Sequence, residues 1–127
     1  MQENDGGGVY NSGDTLRFKK PVIFKENWAD GTGGGLYVKT AAVIFEDSVI
    51  FEDHFAEEEG GAVVNRDILL FKKEVTFNRN AAKIEGGAVS TYGTSAVTFE
   101  DFVSFKNNEA ENGGALSIKS DAEVTFK

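Results

Sequence analysis

The sequence predicts an all-β protein: a right-handed parallel β-helix of about four and a half coils, with ~27 residues and three short strands per coil. Three observations carry that expectation. A glycine pair returns at near-constant spacing, in Gly6-Gly7-Gly8-Val9, Gly33-Gly34-Gly35-Leu36, Gly60-Gly61-Ala62-Val63, Gly86-Gly87-Ala88-Val89 and Gly113-Gly114-Ala115-Leu116. A second motif travels with it, Phe24-x-x-Asn27, Phe51-x-x-His54, Phe77-x-x-Asn80 and Phe105-x-x-Asn108, each followed two residues later by alanine. Between the motifs, apolar residues alternate with period two, as in Val97-x-Phe99 and Val103-x-Phe105, which marks half-buried strands and not helices.

Each repeat supplies the parts of one turn. Two strands hold the phenylalanine positions, a third follows the glycine pair (Ala62-Val63-Val64-Asn65), and polar corners such as Lys19-Lys20-Pro21 and Glu46-Asp47-Ser48 separate them. Stacked turns bring equivalent residues into parallel, in-register strands about 4.8 Å apart. The predicted core columns are Phe18/Phe45/Phe71/Phe99/Phe126, Phe24/Phe51/Phe77/Phe105 and Val9/Leu36/Val63/Val89/Leu116. Right-handedness follows from the strong bias of parallel crossover connections.

Charge tests this alignment independently. The residue after the first phenylalanine column reads Lys19, Glu46, Lys72, Glu100, Lys127, and the next reads Lys20, Asp47, Lys73, Asp101. Alternation of sign in two adjacent columns is expected only if these residues are vertical neighbours, where unlike charges attract and like charges repel. The Glu46-Asp47 pair is thereby expected to be neutralised by Lys19-Lys20 and Lys72-Lys73. The asparagine column is expected to bond corner backbone groups and to take the left-handed conformation, and the glycines to turn the chain where a Cβ would clash.

Composition bounds function. Twelve of the 15 glycines sit in the repeated clusters, so glycine is a positional device and not linker. A net charge of -8, with the basic residues interleaved among acids, excludes a nucleic-acid footprint. The absence of cysteine excludes disulfides, thiol nucleophiles and cysteine metal sites. No apolar run approaches the ~18 residues of a membrane-spanning helix, and Met1-Gln2-Glu3-Asn4-Asp5 lacks the character of a secretion signal. Residues 1–127 are expected to form one domain whose ends lack capping elements, as in a fragment or an uncapped subunit.

Taken together, Gly60-Gly61-Ala62-Val63, Gly86-Gly87-Ala88-Val89, Gly113-Gly114-Ala115-Leu116, Phe77-x-x-Asn80 and Phe105-x-x-Asn108 resemble the repeats of the chlamydial polymorphic outer-membrane proteins, whose signature is Gly-Gly-Ala-Ile with Phe-x-x-Asn. The similarity covers nearly the whole chain; it departs where Val or Leu replaces Ile, at the first two glycine clusters, where Gly replaces Ala, and at His54, which replaces Asn. The resemblance implies a β-helical passenger domain of an autotransported surface adhesin, located at the cell surface, outside the cell or in the outer membrane.

No catalytic, cofactor or metal site is expected. His54, the only histidine, lies near Glu52, Asp53 and Glu57-Glu58-Glu59, yet its place in the asparagine column assigns it to corner backbone groups. The candidate partner surface is apolar and lies on the early coils: Ile23, Ile44, Ile50 and Leu70 alternate outward, Tyr10 stacks on Tyr37 on another face, and Trp28 and Phe55 share a corner column. The expected function is a non-enzymatic adhesin or display stalk acting through protein contacts. The alternatives are an accessory scaffold subunit of a larger assembly, such as an algal organelle membrane complex, located in an organelle lumen or peripheral to that complex, and a truncated polysaccharide-active enzyme.

Overall fold

A computed structural model describes residues 8–127. The Gly6-Gly7 cluster, the first of the repeated pairs, lies outside the described residues. The first coil contains β1 (Val9–Asn11), β2 (Leu16–Phe18), β3 (Val22–Lys25) and β4 (Trp28–Ala29). The second repeats them as β5 (Leu36–Val38), β6 (Ala42–Phe45), β7 (Val49–Glu52) and β8 (Phe55–Ala56). The third holds β9 (Val63–Asn65), β10 (Ile68–Phe71), β11 (Val75–Asn78) and β12 (Ala81–Ala82). The fourth holds β13 (Val89–Thr91), β14 (Ala96–Phe99) and β15 (Val103–Lys106), and a fifth opens with β16 (Leu116–Ile118) and β17 (Glu123–Phe126).

Like strands pair with like. The first sheet runs β1-β5-β9-β13-β16, the second β2-β6-β10-β14-β17, the third β3-β7-β11-β15 and the fourth β4-β8-β12. Every pairing is parallel and in register, Phe45 opposite Phe71 and Phe51 opposite Phe77. The protein is a parallel β-solenoid, with no helix among the described residues.

The two phenylalanine columns fill the interior. Rings of the second sheet stack at 4.7, 5.1, 5.2 and 5.1 Å from Phe18 down to Phe126, and those of the third at 4.8, 5.1 and 5.0 Å from Phe24 to Phe105. Between the columns the rings meet edge to face at 5.7 to 6.4 Å. Each interior ring is therefore stacked along the axis and met by ring edges across it, an arrangement worth about 0.5–1.5 kcal/mol per pair beyond burial. Leu36, Val63 and Val89 close the core from the first sheet.

The coil has one more strand than the three expected. After the Phe-x-x-Asn corner the chain forms the two-residue fourth strand, whose second residue, Ala29, Ala56 or Ala82, is buried against the interior. The left-handed residue at this corner is not the asparagine but the residue before it: Glu26, Asp53, Arg79 and Asn107 have φ of 56°, 60°, 55° and 55°. Asn107 and Asp53 carry side chains that are enriched in that region, whereas Glu26 and Arg79 do not, so on those two rungs the corner is imposed by its neighbours and not by local preference.

The glycine pairs divide the work between conformation and space. Gly33, Gly60, Gly86 and Gly113 adopt φ of 69°, 64°, 59° and 59°. The second glycine of each pair instead lies against backbone: a Cβ on Gly61 would meet the carbonyl oxygens of Gly87 and of Ala81, the latter at 2.5 Å. By contrast, a Cβ on Gly13 would meet nothing within 4 Å.

Two outcomes follow. Phe71→Ala, at a ring with no exposure, should cost about 3–5 kcal/mol in chemical unfolding, and Phe126→Ala, at a ring 55% exposed on the last rung, much less. Gly61→Ala should lower stability by at least about 1–3 kcal/mol, whereas Gly13→Ala should stay within about 0.5 kcal/mol of the parent.

Candidate functional site

The corner after the third strand is held by a ladder of side-chain bonds. The His54 backbone N–H donates to Asn80 Oδ1 at 3.1 Å, and the Asn80 N–H to Asn108 Oδ1 at 2.9 Å. Asn80 and Asn108 in turn donate from Nδ2 to the carbonyls of Phe51 and Phe77, each at 3.1 Å. Each amide thus serves one donor and one acceptor of the coil before it, and Asn80 is fully buried.

His54 performs the same two tasks with a ring. Its Nδ1 accepts the Asn27 N–H at 3.1 Å and its Nε2 lies 2.9 Å from the Phe24 carbonyl, which fixes the neutral tautomer with the proton on Nε2. The ring is 2% exposed, and burial pushes its pKa below the ordinary value of 6.5. The larger ring also fills space beside Gly35, where a Cβ would lie 3.1 Å from Nε2; the equivalent position facing Asn80 is Ala62. His54 is a structural stand-in for asparagine, held away from acid–base work by its two backbone partners.

The outer face of the first sheet carries a polar network that the repeat motifs did not reveal. Glu59 accepts from Ser90 at 2.9 Å and pairs with Lys119 at 3.1 Å; Glu85 accepts from Ser117 at 3.1 Å and pairs with Lys119 at 3.0 Å. Lys119 holds the Glu85 carboxyl below its usual range. On the other flank Arg66 donates to the Tyr37 hydroxyl at 3.3 Å, and both Arg66 and Lys119 lie over the Tyr92 ring, at 5.1 and 5.4 Å. Burial, followed by the Tyr37 hydroxyl, pushes the Tyr92 phenol up. A second interior polar group, Asn65, spans the corner from first to second sheet by donating to the Asp67 and Ala96 carbonyls, each at 3.1 Å. Its column reads Asn11, Val38, Asn65, Thr91 and Ile118, a mixture of polar and apolar residues from which the period alone assigns no role.

The charged corners align as the sequence predicts, with Glu46, Lys72, Glu100 and Lys127 each donating its N–H to the phenylalanine carbonyl one coil back. Their side chains do not pair as expected. Glu46 bonds Arg17 at 2.9 Å, and this bond, before the fields of Lys72 and Lys19, lowers its pKa. Asp47 and Asp101 instead accept from the next backbone N–H, at Ser48 and Phe102, both at 2.7 Å. Arg17 is closer to Glu46 because it extends from a strand face; the lysines splay from the corner into water.

The candidate partner residues occupy four different faces. Ile44 sits over Leu70 on the second sheet, both half-buried, and Ile23 over Ile50 on the third, 63% and 36% exposed. Ile68, which the sequence reading omitted, extends the second-sheet patch at 51% exposure, two residues from Leu70 on the same side. Tyr10 and Tyr37 meet at 5.1 Å, but Tyr37 is 3% exposed and offers no free surface. Trp28 and Phe55 meet edge to face at 5.9 Å on the fourth sheet. They line a shallow hollow of about 420 Å³ with Glu26, Asn27 and Asp53, and two rungs on Arg79, Asn80, Ala81, Asn107 and Glu109 line another of about 450 Å³. Among the described residues no group of three or more histidine or acidic side chains is placed to hold a metal ion, and no helix is long and apolar enough to cross a membrane.

The His54 geometry has a pH consequence. Because its folded pKa lies below 6.5, the unfolded chain binds the proton first; its contribution is fully present above 6.5 and is lost as pH falls through the window beneath that value. His54→Asn should keep both backbone bonds and flatten this loss. Unfolding midpoints measured between about pH 7 and 5 should therefore fall more steeply for the parent than for the variant, since the carboxylates are common to both.

With the fold and its outward columns in view, comparison with known proteins adds one positive finding. The profile of the Chlamydia polymorphic membrane protein (Chlamydia_PMP) repeat matches at residues 21–39 and 102–119. Both stretches run from the corner before the third strand through the Phe-x-x-Asn motif and the glycine pair into the next first-sheet strand. No curated protein and no solved structure matches the chain significantly. The chain is a parallel β-solenoid that matches the polymorphic membrane protein repeat at two places.

Proposed function

We propose that this solenoid is a non-enzymatic surface adhesin or display stalk that works through protein contacts. The observation that carries the reading is the apolar outer face of the early coils: Ile44, Ile68 and Leu70 stand outward on adjacent rungs of the second sheet, and Ile23 and Ile50 on the third. Isolated exposed apolar residues mean little, whereas rungs of them on one flat sheet mark a partner surface. The repeat type supports a location at the cell surface or in the outer membrane. Four titratable groups are engaged in holding the solenoid's own columns: His54 on backbone, Glu59 and Glu85 on Lys119, Asp53 on Arg79.

The second reading, a scaffold subunit docked by its early coils on a larger assembly, is favoured by the same patch, because Thr98, Thr125, Thr76 and Ser104 take over the corresponding positions on later coils. Beads coated with the chain should adhere to eukaryotic cells, and Ile44→Glu with Leu70→Glu should reduce adhesion at least tenfold without altering the circular dichroism of the fold. Adhesion unchanged by the double variant overturns the assignment of this face. Stable recovery of the chain in a defined membrane-protein complex, dispersed by the same two substitutions, selects the scaffold reading.

A further inference from the structure

Stacked positions of like charge are the exception in this solenoid, and the fold shows how it treats one of them. Glu59 and Glu85 lie on adjacent rungs, joined by a backbone bridge, and the Lys119 ammonium sits between their carboxylates at 3.1 and 3.0 Å, 5.4 Å from the Tyr92 ring. Two carboxylates, an aromatic ring and a cation form one unit.

A second acidic stack stands at the corner that follows the third strand of the coil. Glu26 and Asp53 hold the same left-handed position on adjacent rungs, with φ of 56° and 60°, and both line the hollow of about 420 Å³ floored by Trp28 and Phe55. Asp53 is engaged from the next rung by Arg79, at 2.8 and 3.2 Å, so a guanidinium is already accommodated on this column. Glu26 makes no ion pair among the described residues. Lys25 is near enough to favour the Asp53 carboxylate but forms no ion pair within 4.0 Å among the described residues. The hollow thus repeats the carboxylate pair and the aromatic surface of the Lys119 unit, but here the pairing cation, Arg79, bonds Asp53 from the next rung and leaves Glu26 without an ion pair among the described residues.

We propose that this hollow binds a basic side chain, the ammonium or guanidinium of a lysine- or arginine-rich segment of a partner protein. The cation lies between Glu26 and Asp53 and over the exposed face of Trp28, where a carboxylate pair and an aromatic quadrupole attract the same charge. A net charge of -8 favours the approach of such a segment at long range. The inference rests on the reading that the solenoid works through protein contacts, but it concerns the fourth sheet and not the apolar patch, so either can fail alone in its own assay.

The chain contains a single tryptophan, Trp28, which makes the hollow self-reporting. Titration with a lysine-rich octapeptide at moderate salt should change Trp28 emission saturably, and a neutral glycine–serine peptide of equal length should not. Glu26→Gln should weaken binding roughly fivefold or more, whereas Glu123→Gln, which removes the same charge at the far end in β17, should not. Equal weakening by both substitutions reduces the effect to net charge and overturns the site. Equal binding of the neutral peptide, or the same emission change with a neutral oligosaccharide, overturns the choice of a cation. Circular dichroism of each variant establishes that the fold is retained.

Discussion

The spacing of parallel strands along the axis governs this molecule. Once a residue is fixed at one rung, its neighbours are its own equivalents one coil away, so every column must be compatible with itself. Phenylalanine meets the condition by stacking: rings at about 5 Å separation match the strand interval and leave no gap between coils. Asparagine meets it by bonding, since one amide satisfies a donor and an acceptor of the coil before it. Glycine meets it by absence, because the carbonyl of the next coil already occupies the place of its Cβ.

The same constraint explains why so much of the fold was legible. A column of identical residues in sequence is a column in space, and Phe45 over Phe71 or Val63 over Val89 follows from period alone. What the period could not reveal were contacts that cross columns. Arg17 takes Glu46 from the corner lysines, Lys119 bridges Glu59 and Glu85, and Asn65 reaches two carbonyls across a corner. These depend on side-chain length and direction, which the repeat does not encode. The fourth strand was missed because two residues carry no measurable alternation. The burial of Tyr37 escaped because the groups that close over it, among them Arg66, lie in a neighbouring coil.

His54 shows how a repeat tolerates variation. The imidazole replaces a carboxamide by presenting the same acceptor and donor in the same order, and the larger ring is admitted where the facing residue is Gly35 instead of alanine. In the left-handed column, Glu26 and Arg79 do not favour that conformation by themselves, and the bonds of the adjacent asparagine column hold the backbone there.

The corners alternate in sign along the axis, Lys19-Lys20 over Glu46-Asp47 over Lys72-Lys73 over Glu100-Asp101. Geometrically one coil is a complete module, and the sign pattern of its corners repeats every two coils. Excising one coil would join two rungs of equal sign, and excising two would restore the pattern. Those corner side chains bond Arg17, the next backbone N–H or water instead of one another, so either change would cost little, and the solenoid can be lengthened or shortened by any whole number of coils.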